Sequence, residues 1–315
     1  MAGCRDPGRL ESVTASSLLG NIGRWEREVA ANYRAALDGI RTSIASLYER
    51  YASAGVLTHA EMSKYNRLKN LERQITEAIG PTAARNSALM ERMARIEYDE
   101  AFYRYAWTID QQARASLQWG VLNPDTVVAA VANPIRKISE GRLRTDGRAR
   151  VRRAVTQGLV RGESFPAMMR GVRDAINGTT RDALRIVRTE GQRAQVLGQQ
   201  ASYQRARDKG VEVVDVWDAT LDSRTRDSHG ALDGVRAQYD EGGAFWRTSV
   251  GKVRGPVQSG VAAFDIHCRC RIRGEVGGFA PEVRRIRGEG VVPYQKYEDW
   301  KQGMNERGRN TAAAG

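Results

Sequence analysis

The first third of the chain repeats its apolar positions with the period of an amphipathic helix. Apolar residues recur at steps of three and four over residues 22–51 and again over 62–79, where Gly80-Pro81 predicts a helix end. Residues 58–61 (THAE) have the form of a capping box, so the second helix is expected to begin there. A third helix is predicted over about residues 84–119. Three such helices with short connections predict an antiparallel bundle or an elongated stalk.

The middle of the chain predicts further helices with recognisable end signals. Asn123 precedes a proline, which is the pattern of an N-cap followed by the first helical position. A basic helix is predicted over residues 143–158. The next helix is expected to start after Ser164 and to close at Asn177-Gly178, and another is predicted over 179–209.

The pattern changes from helical to extended after residue 210. The sequence VEVVDVWDA is rich in β-branched residues and alternates, which predicts a strand over 211–219. The remaining chain is glycine-rich with short segments. We therefore expect an α+β fold, with long amphipathic helices in the N-terminal part followed by a mixed α/β module with short strands. The predicted divisions are a flexible N-terminus (1–20), a helical bundle or stalk (21–135), the C-terminal module (136–276) and an extended C-terminal arm (277–315).

Positive charge is concentrated in one segment. The formal net charge of the 315 residues is +13, and residues 136–193 carry 15 Lys and Arg against 6 Asp and Glu. Residues 1–135 are nearly balanced, with 16 basic against 15 acidic side chains. Such a run is often only the solvated face of a helix, but arginine is also well suited to bind phosphate. The sequence predicts contact with DNA phosphates at Arg144, Arg148, Arg150, Arg152 and Arg153.

One carboxylate falls on an apolar helix stripe. Glu190 lies in register with the apolar residues of the last long helix, where an unpaired charge would be costly. The neighbouring Arg188 and Arg193 lie off this stripe. We therefore predict an ion pair between Glu190 and either Arg224 or Arg226.

The segment FDIHCRCRI, residues 264–272, holds two of the three cysteines and one of the three histidines. On a strand, Cys268 and Cys270 would share one face and His267 would point to the other. His229, about forty residues earlier, is therefore the better candidate for a partner of the two thiols.

Three interpretations of this thiol–imidazole set are open. A structural zinc ion has suitable ligand types but only three of its four ligands, unless Asp222 or Asp227 completes the set. Two reduced cysteines can instead pack as small apolar side chains. A disulfide between residues one apart is strained and is the least favoured.

Several classes of protein are disfavoured by what the sequence lacks. The longest apolar run is too short to span a membrane, and the N-terminus has no secretory signal, so a soluble protein of a reducing cytoplasm is expected. There is no phosphate-binding GxxxxGK[ST], no GxSxG and no HExxH. An enzyme remains the alternative, either an ADP-ribosyltransferase-like enzyme using Glu190 or a thiol enzyme using Cys268.

The ordered combination of IVRTEGQRAQ (186–195), VWDATLDSRTRDSHGALDG (216–234) and IHCRC (266–270) resembles the phage head morphogenesis, Mu F-like family of minor head proteins. The similar region covers roughly residues 140–275. The resemblance implies a non-enzymatic virion component, placed in the capsid interior near the portal vertex and assembled in the host cytoplasm. It implies roles in head morphogenesis and around DNA packaging and ejection.

The resemblance also implies partners and a site. The partners are the phage portal protein, the major capsid or scaffold protein, double-stranded DNA without sequence preference, and further copies of the chain, but no membrane. In many relatives two cysteines occupy the positions of Arg226 and His229 and join the CRC segment in a zinc-like staple. Here we expect a structural knot of His229, Cys268 and Cys270, with or without metal. A DNA-binding protein unrelated to virions is a further alternative.

Overall fold

The computed structural model describes residues 7–277, 283–286 and 290–293. Its fold is α+β, as predicted: long helices come first, and short antiparallel strands follow. The helices are α1 (Pro7–Tyr51), α2 (His59–Ser63), α3 (Arg67–Ala113), α4 (Pro124–Val131), α5 (Pro134–Val160), α6 (Phe165–Asp208), α7 (Asp227–Gly230) and α8 (Ala262–Asp265). The strands are β1 (Val213–Asp218), β2 (Gln238–Asp240), β3 (Gly243–Thr248), β4 (Gly251–Val253), β5 (Arg271–Val276), β6 (Val283–Ile286) and β7 (Gly290–Pro293). None of the helices in these ranges combines the length and the apolar character needed to cross a bilayer.

Two of the predicted helix starts are confirmed at the level of the capping atoms. Thr58 accepts a hydrogen bond from the backbone N–H of Glu61 at 3.2 Å and begins α2. Asn123 accepts from the backbone N–H of Asp125 at 2.8 Å and begins α4. These side chains satisfy donors that the first helical turn leaves open.

Several of the predicted helix boundaries are wrong. The N-terminus is helical from Pro7, so the flexible segment predicted over 1–20 is corrected from that residue on, and residues 1–6 lie outside the description. Helix α3 continues through Pro81, since Ile79 and Thr82 on either side of it are buried. Helix α3 then ends at Ala113 instead of near residue 119.

Helix α6 continues through Asn177-Gly178, where the sequence predicted a break. Thr179, the next residue, is buried against α5 at Gly147, where an added Cβ would lie 2.9 Å from the threonine methyl group. The hydroxyl groups of Thr179 and Thr180 donate to carbonyl oxygens one turn earlier, at 2.9 Å each. Packing and these bonds outweigh the low helix propensity of glycine.

The chain forms two compact units, each built from separated segments. The first unit contains residues 1–22, 94–132 and 189–315, and the second contains 23–93 and 133–188. The sequence predicted consecutive domains instead. Helices α1, α3 and α6 each begin in one unit and end in the other.

The second unit is helical. Its apolar interior contains Trp25, Val29, Ile40 and Ile44 from α1, and residues of α3, α5 and α6 with similar burial. Helix α5 begins at Pro134, nine residues before the predicted start, and its turns at Val151 and Val155 are buried.

The first unit holds the β module. Strands β1 and β5 pair antiparallel, with Val213 opposite Val276 and Asp218 opposite Arg271. Strands β2, β3 and β4 form a separate three-stranded meander. The core of this unit joins apolar residues of the helices to Trp217 of β1 and Trp246 of β3, whose ring centroids lie 5.5 Å apart. Within the predicted C-terminal arm, β6 and β7 form an antiparallel pair, and residues 294–315 lie outside the description.

Candidate functional site

The short helix α7 and the segment before β5 bring the three predicted knot residues together. His229 lies on α7, and Cys268 and Cys270 lie in the turn that enters β5. The cysteines are therefore not on a strand as expected. His267 has a positive φ of 60°, and this turn leaves it exposed while both thiols are buried.

The thiol–imidazole cluster, defined as His229, Cys268 and Cys270, is compact and buried. Its ligand-type atoms all lie within 4.8 Å of one another. The Nδ1 atom of His229 is 3.3 Å from Sγ of Cys270 and 3.5 Å from Sγ of Cys268. The convergence predicted from the sequence is present, and both cysteines are free thiols.

The two thiols differ in acidity because they share a hydrogen bond. This bond from Cys270 lowers the pKa of Cys268, whereas the bond and complete burial together raise the pKa of Cys270. Arg226 adds a smaller effect in the same direction on Cys268. Cys268 is therefore the more acidic of the two thiols.

The cluster supplies only part of a structural zinc site. With the bond lengths usual for zinc, ligand atoms of a tetrahedral site lie roughly 3.3 to 3.8 Å apart, which the two S–N distances match. His229 would coordinate through Nδ1. Asp222, a predicted fourth ligand, is instead held by the guanidinium of Arg269, which lowers the pKa of Asp222 to about 2. Within the part of the chain that the structure describes, no fourth His, Cys, Asp or Glu joins the set.

Aromatic rings enclose the thiol–imidazole cluster. The ring centroid of Phe264 lies 4.2 Å from that of His229, and Trp217 meets the same imidazole edge-on at 6.2 Å. Cys268, in the same cluster, is 5% exposed. A nucleophilic thiol needs access to a substrate, so the geometry does not favour the thiol-enzyme alternative.

A row of glutamines on α6 fixes the cysteine segment to the helix, and the sequence analysis missed it. Gln192 donates to the carbonyl oxygen of Cys270 at 2.7 Å, and Gln199 donates to that of Ile272 at 2.6 Å. Gln195, between them, donates to Glu97 and to the carbonyl oxygen of Leu18. The three glutamines recur at steps of three and four, which is the signal that could have revealed one buried polar helix face.

The predicted partner of Glu190 is corrected. Glu190 is 6% exposed and pairs with Arg193 at 3.2 Å, one helical turn away. Arg226 donates instead to the backbone carbonyl oxygens of Phe264 and Ile266, and Arg224 lies 3.6 Å from Asp222.

Arg193 can pair with Glu190 because the arginine side chain is long. Residues three apart on a helix are neighbours, and the long side chain of Arg193 returns to the stripe from a position beside it. Its guanidinium also donates to the carbonyl oxygen of Val131. Glu190 is therefore both buried and paired.

The five predicted phosphate-binding arginines of α5 are not equivalent. Arg150 pairs with Asp182 of α6 at 2.8 Å, and Arg152 pairs with Glu72 of α3 at 2.9 Å.

Arg148 lies across α3, where a Cβ added to Gly80 would be 2.7 Å from its Nη2. The other two, Arg144 and Arg153, are exposed and have no ion-pair partner among the described residues.

Comparison with known proteins identifies the kind of protein to which this architecture belongs. A family model described as phage Mu protein F-like protein matches residues 149–273. The matched region contains the end of α5 from residue 149 on, all of α6 and the thiol–imidazole cluster, whereas Arg144 and Arg148 lie before it. The matched part of the chain is thus similar to a family of phage proteins.

The minor head protein GP7 of Bacillus phage SPP1 is 31% identical over 289 residues, which cover 89% of this chain and 92% of that protein. The chain belongs to the phage Mu F-like family of minor head proteins. It is a structural component of the phage head, and therefore of the virion.

A second relative carries the name of an enzyme. The NAD+–arginine ADP-ribosyltransferase EFV of Enterococcus faecalis (strain ATCC 700802 / V583) is 24% identical over 299 residues. The match covers 90% of this chain but 61% of that protein, so part of the longer protein has no counterpart here. No solved structure matches this chain significantly.

Proposed function

We propose that this minor head protein acts inside the capsid near the portal vertex, where it contacts packaged double-stranded DNA through α5. Its partners in this proposal are the portal protein, the major capsid or scaffold protein, and further copies of the chain. It would assemble in the host cytoplasm and serve DNA packaging and ejection without catalysing a reaction.

The concentration of arginine on α5 and the first half of α6 is the observation that carries the DNA contact. Residues 136–193 hold 15 basic against 6 acidic side chains. Arg144 and Arg153 are exposed and available to phosphates, while Arg150 and Arg152 are shared with Asp182 and Glu72. The effective number of phosphate contacts is therefore smaller than five.

The test is the salt dependence of binding to fluorescently labelled duplex DNA. We expect anisotropy titrations between about 50 and 200 mM salt to give equal affinities for two unrelated sequences and a straight line of log K against log salt. A quadruple Gln variant of Arg148, Arg150, Arg152 and Arg153 should flatten this slope. Affinity that does not change with salt, or a slope that the variant leaves unchanged, would refute DNA contact by α5.

The proposed place near the portal requires a separate test. The purified chain should sediment with assembled portal rings. Heads made without this chain should still contain their full amount of major capsid protein. Sedimentation with empty capsid shells but not with portal rings would contradict the proposed position.

An ADP-ribosyltransferase activity is the alternative that the second relative raises. The burial of Glu190 and its pairing with Arg193 oppose it, because a catalytic carboxylate must reach its substrate. We expect no release of nicotinamide from NAD+ with or without an arginine acceptor. Turnover that is lost in Glu190→Gln would overturn the structural assignment.

A further inference from the structure

A groove with a volume of about 300 Å³ lies between α5 and α6 in the second unit. Its floor is made of small residues from both helices: Ala154 and Gly158 of α5, and Gly171 and Ala175 of α6. The groove therefore exists because two facing stretches of helix lack large side chains.

The two glycines differ in how much room surrounds them. A Cβ added to Gly158 would lie 2.9 Å from Cε of Met168 and 3.2 Å from a carboxylate oxygen of Glu163. A Cβ added to Gly171 would lie 3.8 Å from that of Ala154, an ordinary contact. The floor is thus tightly packed at Gly158 and less tightly at Gly171.

Three arginines border this groove, against one glutamate. Arg150 is fixed by its ion pair with Asp182, and Arg161 lies 3.6 Å from Glu163. Arg153 is exposed and has no ion-pair partner among the described residues. The border carries a net charge of +2 around an uncharged floor.

Arg153 also borders a second cavity, of about 320 Å³, on the side of α5 that faces α3. Arg152 lies there too, with its charge balanced by Glu72 at 2.9 Å. Arg153 is therefore the one unpaired cation shared by the two cavities, as far as the described residues go. Gln157, one turn later, is the other residue common to both.

We propose that the groove between α5 and α6 is the seat of a DNA backbone phosphate, with Arg153 as its main contact and Arg150 and Arg161 beside it. The guanidinium group binds phosphate oxygens with two parallel hydrogen bonds, and the excess of positive charge along the border attracts an anion. A floor of alanine and glycine offers no side-chain donors or acceptors for base edges, so binding would be independent of sequence. This inference rests on the proposed contact with DNA and adds where that contact is made.

The experiment compares single substitutions in and outside the groove, using the full chain and the same labelled duplex. Arg153→Gln should reduce the magnitude of the slope of log K against log salt by about 0.9. At about 0.1 M salt this change corresponds to roughly an eightfold loss of affinity. Arg144→Gln is the comparison: Arg144 is also exposed on α5 but borders neither cavity, so this variant should lose less affinity than Arg153→Gln. Ala175→Leu fills the groove without changing charge and should weaken binding by a similar factor, whereas Ala84→Leu, on exposed α3 surface, should not.

Thermal melting of each variant shows whether it remains folded. Equal losses for Arg144→Gln and Arg153→Gln would overturn the groove and leave a diffuse basic surface as the binding site. Full affinity in Ala175→Leu, with a cooperative melt, would also overturn it. If the unaltered chain fails to bind duplex at low salt, the proposed DNA contact itself fails.

Discussion

Glu11 should make the stability of the first unit depend on pH near neutrality. This residue of α1 is 7% exposed, and its carboxylate accepts hydrogen bonds from the Tyr203 hydroxyl at 2.7 Å and from the backbone N–H of Gly274 at 3.0 Å. Burial is the largest influence and raises the pKa of Glu11 from 4.5 to about 7. The two hydrogen bonds and the charge of Arg273 oppose this rise without cancelling it.

The size of the effect follows from the shift. One pKa unit corresponds to about 1.4 kcal/mol, so a rise from 4.5 to about 7 is on the order of 3 kcal/mol. Because the folded state binds the proton more tightly than the unfolded state, this stability is fully present below pH 4.5. It is lost progressively as the pH rises to about 7 and is absent above that value.

Glu11→Gln isolates this contribution. The amide oxygen of glutamine can accept the same two hydrogen bonds, but the side chain does not ionise. We expect the free energy of unfolding of the unaltered chain to fall by roughly 3 kcal/mol more than that of the variant between pH 5 and pH 8. The measurement is urea unfolding followed by circular dichroism at several pH values. Glu49→Gln, at an exposed position of the same helix, should retain the pH dependence of the unaltered chain.

A variant that keeps the full pH dependence would show that Glu11 does not bind its proton more tightly in the folded state. The reasoning from burial to acidity would then be wrong at this position. The prediction would also be contradicted if Glu11→Gln were less stable than the unaltered chain at pH 8. At that pH Glu11 is ionised in the unaltered chain, so the unaltered chain should be less stable than the variant.

Two further predictions concern packing and metal. Gly198→Ala should destabilise the chain by about 1–3 kcal/mol, because the added Cβ would lie 2.2 Å from the carbonyl oxygen of Tyr98. Gly20→Ala should stabilise the chain by about 0.5–1 kcal/mol, because no atom lies within 4 Å of the added Cβ. Equal melting temperatures for the two variants would contradict this prediction. Removal of metal with EDTA should leave the melting temperature unchanged, since the described residues supply three donors, whereas His229→Ala should lower it by removing the hydrogen bonds to the two thiols. Release of one zinc ion per chain with a fall in stability would show that a further ligand completes the site.

Local patterns were sufficient to predict the elements that depend on local chemistry. The caps at Thr58 and Asn123 were correct because a short polar side chain satisfies the open donors of its own helix. The strand at residues 211–219 was correct to within two residues at each end, because its β-branched residues and alternation are local properties.

The predictions of helix ends were wrong where tertiary packing determines whether the helix continues. Gly80-Pro81 and Asn177-Gly178 have the composition of breaks, yet α3 and α6 continue through both. At Gly178 the following threonine is buried against Gly147, which is more than thirty residues away in the chain. Propensity cannot report a contact of this kind, and the division of the chain into interleaved units depends on the same distant contacts.

The convergence of His229 with the two cysteines was predictable because rare residue types of matching chemistry are informative even when they are far apart in sequence. The sequence says less about the partners of charged residues. Periodicity gives the helix face on which a charged residue lies, but not the residue with which it pairs. Glu190 pairs with an arginine three residues away, whereas Arg150 and Arg152 pair with acidic residues that are 32 and 80 residues away in the sequence.

The consequence for DNA binding is that a segment's formal charge overstates the cations available to a ligand. On α5 only an arginine that is both exposed and unpaired can bind a phosphate without first giving up an ion pair, which costs part of the energy gained. Arg144 and Arg153 meet both conditions, and Arg153 borders the groove between α5 and α6, whereas Arg144 is not among the residues that line it. The two substitutions therefore separate the effect of charge from the effect of shape.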